Sequence, residues 1–366
     1  MTPAILGLAT AVPPNVLWQD TFASLIENLY ADNPQVKAYL PHLSDTAITK
    51  RHLAHTDFLQ ERHKWQFWGS SYPDEKPSTS QRNKAFQEIA PKLACKAAED
   101  AIANWKGDPQ NITHVISVSC TGLYAPGLEF ELQQHLSLKP SICRLGINFM
   151  GCYGAFKALN VAKSFAHENP SNRILVVCTE LCSLHLQNKS DFETLTGNAI
   201  FADGCAALII GSHPTDAETP LWDIAKMASF SFDNTKDKIT WVPGDHGFVM
   251  RLSSRVPALL KKYSPNFIRE FLQDTATSSD CDFAIHPGGK SILQAIEKGM
   301  ELQPEQTMAA WDTLANYGNM SSATFPFVLQ HLTTQRTSKP WTVGLGFGPG
   351  LGIESVLLKK HPSIQA

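Results

Sequence analysis

The chain has 366 residues, with 31 Lys and Arg against 34 Asp and Glu and a formal net charge of -3, a balance that excludes a polybasic nucleic-acid binder. Hydrophobic residues make up 43% and charged residues 18%, which is enough apolar material for a large core and too little charge for a disordered chain. No apolar run approaches the ~20 residues of a membrane helix. The opening MTPAILGLATAVPP also lacks the basic start of a secretory signal, so a cytoplasmic protein with no membrane partner is expected. The eight cysteines fall in apolar runs such as VISVSC, ILVVC and DGCAALIIG. They read as buried thiols and not as a disulfide framework. Cys178 and Cys182 have no matching pair at zinc-site spacing, and no metal is expected.

In chain order, residues 5–12 form an apolar stretch closed by Pro13 and Pro14, which predicts a buried strand. Over 80–105, Phe86, Ile89, Leu93, Ala97 and Ala101 recur at helical spacing, with Pro91 marking a kink or a break and Gly107 the stop. A β-branched run at 114–119, a helix at 128–138 and an apolar run at 144–149 follow, and this alternation argues an α/β fold. Residues 153–166 are small or apolar almost all round, as expected of a helix buried inside its domain. Strands are predicted at 173–179 and 204–211, the second entered through the turn Ala202-Asp203-Gly204. The second half repeats this grammar, with extended segments over 222–232, helices at 257–272, 291–300 and 304–317, a strand at 283–285, and closing apolar runs at 342–347 and 352–358. DGCAALIIGS resembles GPGLGIESVLL about 146 residues later, which suits two similar halves, 1–218 and 219–366.

GLGFGPGLG has glycines at 344, 346, 348, 350 and 352. Their even offsets never meet the pattern of a dinucleotide-binding turn, so two strands joined at Pro349 and Gly350 are the better reading. Cys152 stands in Met150-Gly151-Cys152-Tyr153-Gly154, where an extended run meets the buried helix. The helix dipole and unpaired N–H groups there are expected to lower its pKa, although a Cys in apolar surroundings is ordinarily inert. His286, in FAIHPGG, lies on a strand-to-helix turn, the usual place for site residues in α/β folds. Asn319, in YGNMSS, reads by itself as a cap or turn residue. Together, thiol, imidazole and carboxamide form a complete set for acyl transfer: a nucleophile and two donors for an oxygen that turns negative. The set does not choose between hydrolysis and carbon–carbon bond formation.

The strings MGCYGAF, FAIHPGGKSIL, NYGNMSSATFPFVL and GFGPGLGIESVLL resemble the four signature regions of the chalcone synthase-like type III polyketide synthases, collinearly from about residue 3 to about residue 360. The resemblance implies a thiolase fold, two similar halves in a five-layered α/β/α/β/α sandwich, and a homodimer with a complete site in each subunit. It implies Cys152 as the nucleophile that carries the acyl group. His286 and Asn319 would bind the thioester oxygen of malonyl-CoA and of the enolate left by its decarboxylation. Acyl-CoA and malonyl-CoA would be substrates, with no tightly bound cofactor, and the polyketide would cyclise in the same cavity.

Phe201 matches one of the family's two gatekeeper phenylalanines, and Met250 takes the place of the second. Cys120, Cys182, His185 and, in place of a glycine, Trp241 replace small or hydroxylic pocket residues of the plant enzymes, so a differently shaped cavity and a member of bacterial type are expected. Ser321 and the run Gly346-Phe347-Gly348-Pro349-Gly350 complete the expected pocket. The basic residues that hold CoA phosphates in plant enzymes have no match over 34–51, where Lys37, Lys50 and Arg51 stand out of register. Pro326 predicts an irregular backbone in the helix after Asn319. Beside this reading stand a single-condensation ketoacyl synthase of fatty-acid type, a catalytically silent thiolase-fold scaffold and a papain-like cysteine hydrolase. The hydrolase is considered because His286 follows Cys152 at that family's ~130–150 residue spacing, though without its C-G-S-C-W context.

Overall fold

The first half of the chain runs through β1 (Ala4–Ala11), β2 (Asn15–Trp18), α1 (Gln19–Leu29), α2 (Pro34–Ser44), β3 (Lys50–Leu53), α3 (Thr79–Trp105), β4 (His114–Ser119), α4 (Leu128–His135), β5 (Cys143–Asn148), α5 (Gly154–Glu168), β6 (Arg173–Leu181), α6 (Phe192–Ile200) and β7 (Asp203–Gly211). The second half runs through β8 (Trp222–Ser231), β9 (Ile239–Gly244), β10 (Gly247–Leu252), α7 (Val256–Leu272), β11 (Cys281–Ile285), α8 (Lys290–Met300), α9 (Pro304–Tyr317), α10 (Thr324–Thr334), β12 (Trp341–Gly348) and β13 (Gly352–Lys360). These come from a computed structural model that describes residues 2–72, 74–212, 214–215, 218–334 and 339–361.

The main sheet has the order β11-β12-β13-β8-β1-β7-β6-β4-β5. On one side of its midpoint, β1, β7 and β6 pair antiparallel, and β6-β4 and β4-β5 pair parallel. On the other, β8, β13 and β12 pair antiparallel and β12-β11 pairs parallel. Order and sense repeat outward from the centre, with β7 and β13, the two similar strings of the sequence, in equivalent places. Two residue pairs, Ala4 with Asp223 and Ile5 with Trp222, stitch the half-sheets together.

Five layers result. Helix α3 covers the outer face of the first half-sheet, while α5 and α10 lie between the half-sheets, α5 touching β6 and β13 and α10 touching β7 and β11. Helix α9 packs on β11, and Lys226 on β8 reaches the carbonyl of Phe271 on α7, which places these helices on the far face. Burial explains the residue choice: α3 presents Ala90, Ala94, Ala97, Ala98 and Ala101, all at 0% exposure, so its backbone approaches the sheet closely. Among the described residues no helix is long and apolar enough to cross a membrane.

Three local expectations change. Helix α3 continues through Pro91 from a Ser78/Gln81 capping box to Lys106, which takes the left-handed conformation (φ 63°) expected of Gly107. Helix α4 ends at His135, short of 138. Pro326 is the third residue of α10, which starts only at Thr324 after a 3₁₀ turn over Ser321–Ala323. An N–H in the first turn has no intrahelical partner in any case, so the proline there disturbs nothing.

Candidate active site

Strand β5 is followed by Phe149 (φ 57°) and Gly151 (φ 72°), and the chain turns through a 3₁₀ segment over Gly151–Tyr153 before α5 begins. A Cβ on Gly151 would lie 2.5 Å from the Pro349 ring, so only glycine lets the β12–β13 turn close over this corner. Cys152 is held half-buried on the turn. Its Sγ lies 3.9 Å from both Oδ1 and Nδ2 of Asn319.

Asn319 follows Gly318 (φ 69°), the stop of α9. Its N–H donates to the Ile200 carbonyl (2.8 Å), and its own carbonyl accepts from Ala202 N–H (2.9 Å). The side chain is oriented too: Oδ1 accepts from Ser321 N–H (2.8 Å) and Nδ2 donates to the Gly288 carbonyl (3.3 Å). His286 leaves β11 with its N–H on the Leu345 carbonyl (2.7 Å). Its ring is 1% exposed, and neither ring nitrogen has a hydrogen-bond partner among the described residues.

The electrostatics reverse one expectation. Burial pushes the Cys152 thiol up to about 12, against the smaller opposing pull of hydrogen bonds from Ser321 and Asn319, so desolvation outweighs the helix end. Burial also holds His286 down to about 3. Thiol and imidazole therefore rest as a neutral pair.

Beneath them lies Glu180, which sequence reasoning missed. It is fully buried at the end of β6 and accepts from Ser322 Oγ (2.5 Å), Thr121 Oγ1 (2.8 Å) and Cys120 N–H (2.9 Å), tying the two halves together under the site. Burial raises its pKa against these hydrogen bonds. The signal for it was a carboxylate inside the apolar run ILVVCTEL, because a charge on a strand buried on both faces must find several donors.

Cys152, His286 and Asn319 line one narrow chamber of about 60 Å³. Of the other expected pocket residues, Cys120, Cys182, Phe201, Trp241, Met250 and Ser321 line it, as do Phe347, Gly348 and Pro349. Three do not. His185 lies behind the wall, in a neighbouring cavity that shares Cys182, Phe201, Trp241 and Met250 with the first. Gly346 is buried against the Phe156 ring, 2.4 Å from where a Cβ would stand, and Gly350 (φ 93°) is the tip of the β12–β13 turn. Thr121, Ile239, Leu252, Val256, Gly288 and Ile292 also line the chamber, and sequence reasoning named none of them for it.

Arg51 is buried, with Nη1 donating to the carbonyls of Asn198 and Phe201 at 2.7 Å each, so it braces the wall instead of meeting solvent. Trp241 is fixed by Nε1 donating to the Cys120 carbonyl (2.7 Å) and by edge contacts to His185 and Phe248. With Cys182, Phe201 and Met250 it forms the partition between the two cavities.

Comparison with known proteins adds a family. Residues 2–214 match the N-terminal domain of chalcone and stilbene synthases, and residues 227–362 match their C-terminal domain. The chain is 34% identical over 363 residues to the protein named probable polyketide synthase 1 of Dictyostelium discoideum, a match that covers 97% of this chain and 11% of that protein. The chain thus spans only a small part of this curated relative's length. Among solved structures, the C-terminal type III polyketide synthase domain of Steely1, a type I/III hybrid from Dictyostelium, superposes with a TM-score of 0.90 at 32% identity, covering 98% of this chain and 99% of that one. PKS-I from the brown alga Ectocarpus siliculosus gives a TM-score of 0.90 at 28% identity, with 98% of each chain covered.

Proposed function

The chain belongs to the chalcone and stilbene synthase family, and we propose that it works as a type III polyketide synthase on CoA thioesters. Cys152 Sγ adds to the carbonyl of an acyl-CoA and gives its proton to a His286 ring nitrogen. CoA leaves as its thiol, taking that proton back, and the acyl group stays on sulfur. Malonyl-CoA then loses CO2. The electron pair of the broken bond becomes a thioester enolate, whose oxygen takes hydrogen bonds from Asn319 Nδ2 and from the one N–H of neutral His286. The enolate carbon attacks the Cys152 thioester, a carbon–carbon bond forms, and the carbon–sulfur bond breaks with its electron pair left on Sγ; the chain, two carbons longer and now on CoA, returns to that thiolate as CoA is displaced. Repetition and ring closure take place in the same water-poor chamber.

A neutral imidazole suits this sequence, because an imidazolium beside the enolate would protonate it before condensation. The observation that carries the reading is the meeting of Cys152, Asn319 and the unpartnered ring of His286 in one chamber. The family match does not favour the hydrolase or the single-condensation synthase. The test is incubation with malonyl-CoA and an acyl-CoA, following CO2 and polyketide. Wild type should form both, and Cys152→Ala should keep part of the CO2 release while losing product by more than about 1,000-fold. No CO2 from wild type, or undiminished product from the variant, would overturn it.

The homodimer belongs to the same proposal. Strand β5 is the outermost strand of the sheet, with Cys143, Arg144 and Asn148 exposed. An open edge of this kind is a template for pairing with a second copy. Sedimentation at one chain mass, 40.3 kDa, would contradict it.

A further inference from the structure

A narrow chamber cannot take the nucleotide end of CoA, so in the reading just given the phosphates stay outside while the thioester enters. Cations adjoining chamber-lining residues are candidates to meet them. Four basic residues stand within two positions of such a residue: Lys238 beside Ile239, Arg251 between Met250 and Leu252, Arg255 beside Val256, and Lys290 between Gly288 and Ile292. All four belong to the second half. Lys37 and Lys50 lie on α2 and β3, which contribute no lining residue, and Arg51 is buried on backbone carbonyls.

The four are not equivalent. Lys238 is paired with Asp237 at 2.8 Å, and Arg251 faces Glu193 at 4.0 Å. Lys290 reaches Asp45 at 2.5 Å, but that carboxylate is 72% exposed, and an exposed pair is easily exchanged for a better one. Arg255, at the N-terminus of α7, is exposed and has no acidic partner among the described residues. It adjoins Val256, which is fully buried in the chamber wall, so an exposed, unpaired cation stands one residue from the lining.

We propose that Arg255, assisted by Lys290, holds the phosphates of the CoA thioester at the rim of the chamber. Guanidinium and ammonium groups make charge-assisted hydrogen bonds to phosphate oxygens, and the planar guanidinium can do so with two at once. The phosphate grip of this chain has thus moved to the second half, onto the loop before α7 and the first residue of α8. This inference rests on the CoA reading of the site, and the experiment separates the two.

The test compares malonyl-CoA with malonyl-pantetheine, which presents the same thioester and arm without a phosphate. In Arg255→Ala the ratio of kcat/KM for malonyl-CoA to that for malonyl-pantetheine should fall about tenfold, the size expected for one charge-assisted contact. The loss should appear in KM. Lys290→Ala should lower the ratio less, Arg255→Lys should restore part of it, and added salt should shrink the wild-type preference for malonyl-CoA. An unchanged ratio in both alanine variants, whether activity falls equally on the two thioesters or not at all, would overturn the assignment. Wild type that decarboxylates neither thioester would instead overturn the reading on which it rests.

Discussion

In the first half, the six-residue strand β5 runs parallel to β4 and leads through the turn at Gly151–Tyr153 into α5. In the second half, residues 318–320 lead through the turn at Ser321–Ala323 into α10, but the strand has shrunk to one bridge, between Asn319 and Phe201 of the other half. The same corner is therefore anchored in two ways. Cys152 is delivered by a strand of its own sheet, with the β12–β13 turn of the other half closed over it through Pro349. Asn319 is positioned by the opposite half, through Ile200, Ala202 and, beneath the adjoining turn, Glu180 on Ser322. The difference teaches how two halves that share one chamber keep register: backbone hydrogen bonds at the second corner fix carboxamide and thiol to each other, without relying on side-chain packing alone.

The largest expected effect tests whether the two corners are independent. In the proposed mechanism, Asn319→Ala deletes an oxyanion donor, worth about 100- to 1,000-fold in the step it serves, and malonyl-CoA decarboxylation should fall by that much. Alkylation of Cys152 by iodoacetamide should change by less than about tenfold, because its corner is built without Asn319 and only two long contacts to sulfur, both at 3.9 Å, are lost. Equal losses in both assays would show one corner to be propped up by the other.

That asymmetry also marks what could be read in the sequence. Strands and helices were legible where apolar period and β-branched runs were strong, as in β4, α5 and β6, and the three polar site residues were legible because each stands at a break between elements. The sign of the Cys152 shift was not. A helix end is a local feature, whereas desolvation depends on everything packed over the sulfur, and desolvation won. Arg51 is the same lesson from the other side: the sequence places it with Lys37 and Lys50, out of register with a phosphate grip, and does not show that it is buried on two carbonyls some 150 residues away. His185 was expected in the chamber and stands behind it, across a partition of Cys182, Phe201, Met250 and the Trp241 indole that it touches edge-on.

The halves differ again in what each inserts after its first strand. The first inserts β2 to β3 and the packed rings of Phe58, Trp65, Trp68 and Tyr72, which line no part of the chamber. The second inserts the β9–β10 hairpin, whose Ile239, Trp241, Met250 and Leu252 all line it. If that hairpin sets product size, Trp241→Gly should open the chamber into the cavity around His185 and shift products to longer or bulkier chains, read by mass spectrometry over a panel of starters. An identical product spectrum would show that the partition is not what stops elongation.

The smallest effect comes from comparing two histidines, both held down to about 3 by burial. Among the described residues His286 uses neither ring nitrogen, whereas His185 uses both. Its Nδ1 accepts from Phe248 N–H (3.0 Å), which puts the proton on Nε2, and Nε2 donates to the Thr121 carbonyl (2.7 Å). A second proton on Nδ1 would set N–H against N–H where the halves meet. Because the folded pKa is depressed, the stability His185 contributes is complete above its unfolded value near 6.5 and is lost as pH falls toward 3. By pH 5 that loss is about 2 kcal/mol, a few degrees in Tm for a chain of this size. His185→Gln, which can still donate to the Thr121 carbonyl and takes up no proton, should narrow the Tm gap between pH 7 and pH 5 by that amount, while His286→Gln should narrow it without touching the β10 contact. If the gap stays as wide in His185→Gln as in wild type, the ring is not a neutral strut between the halves.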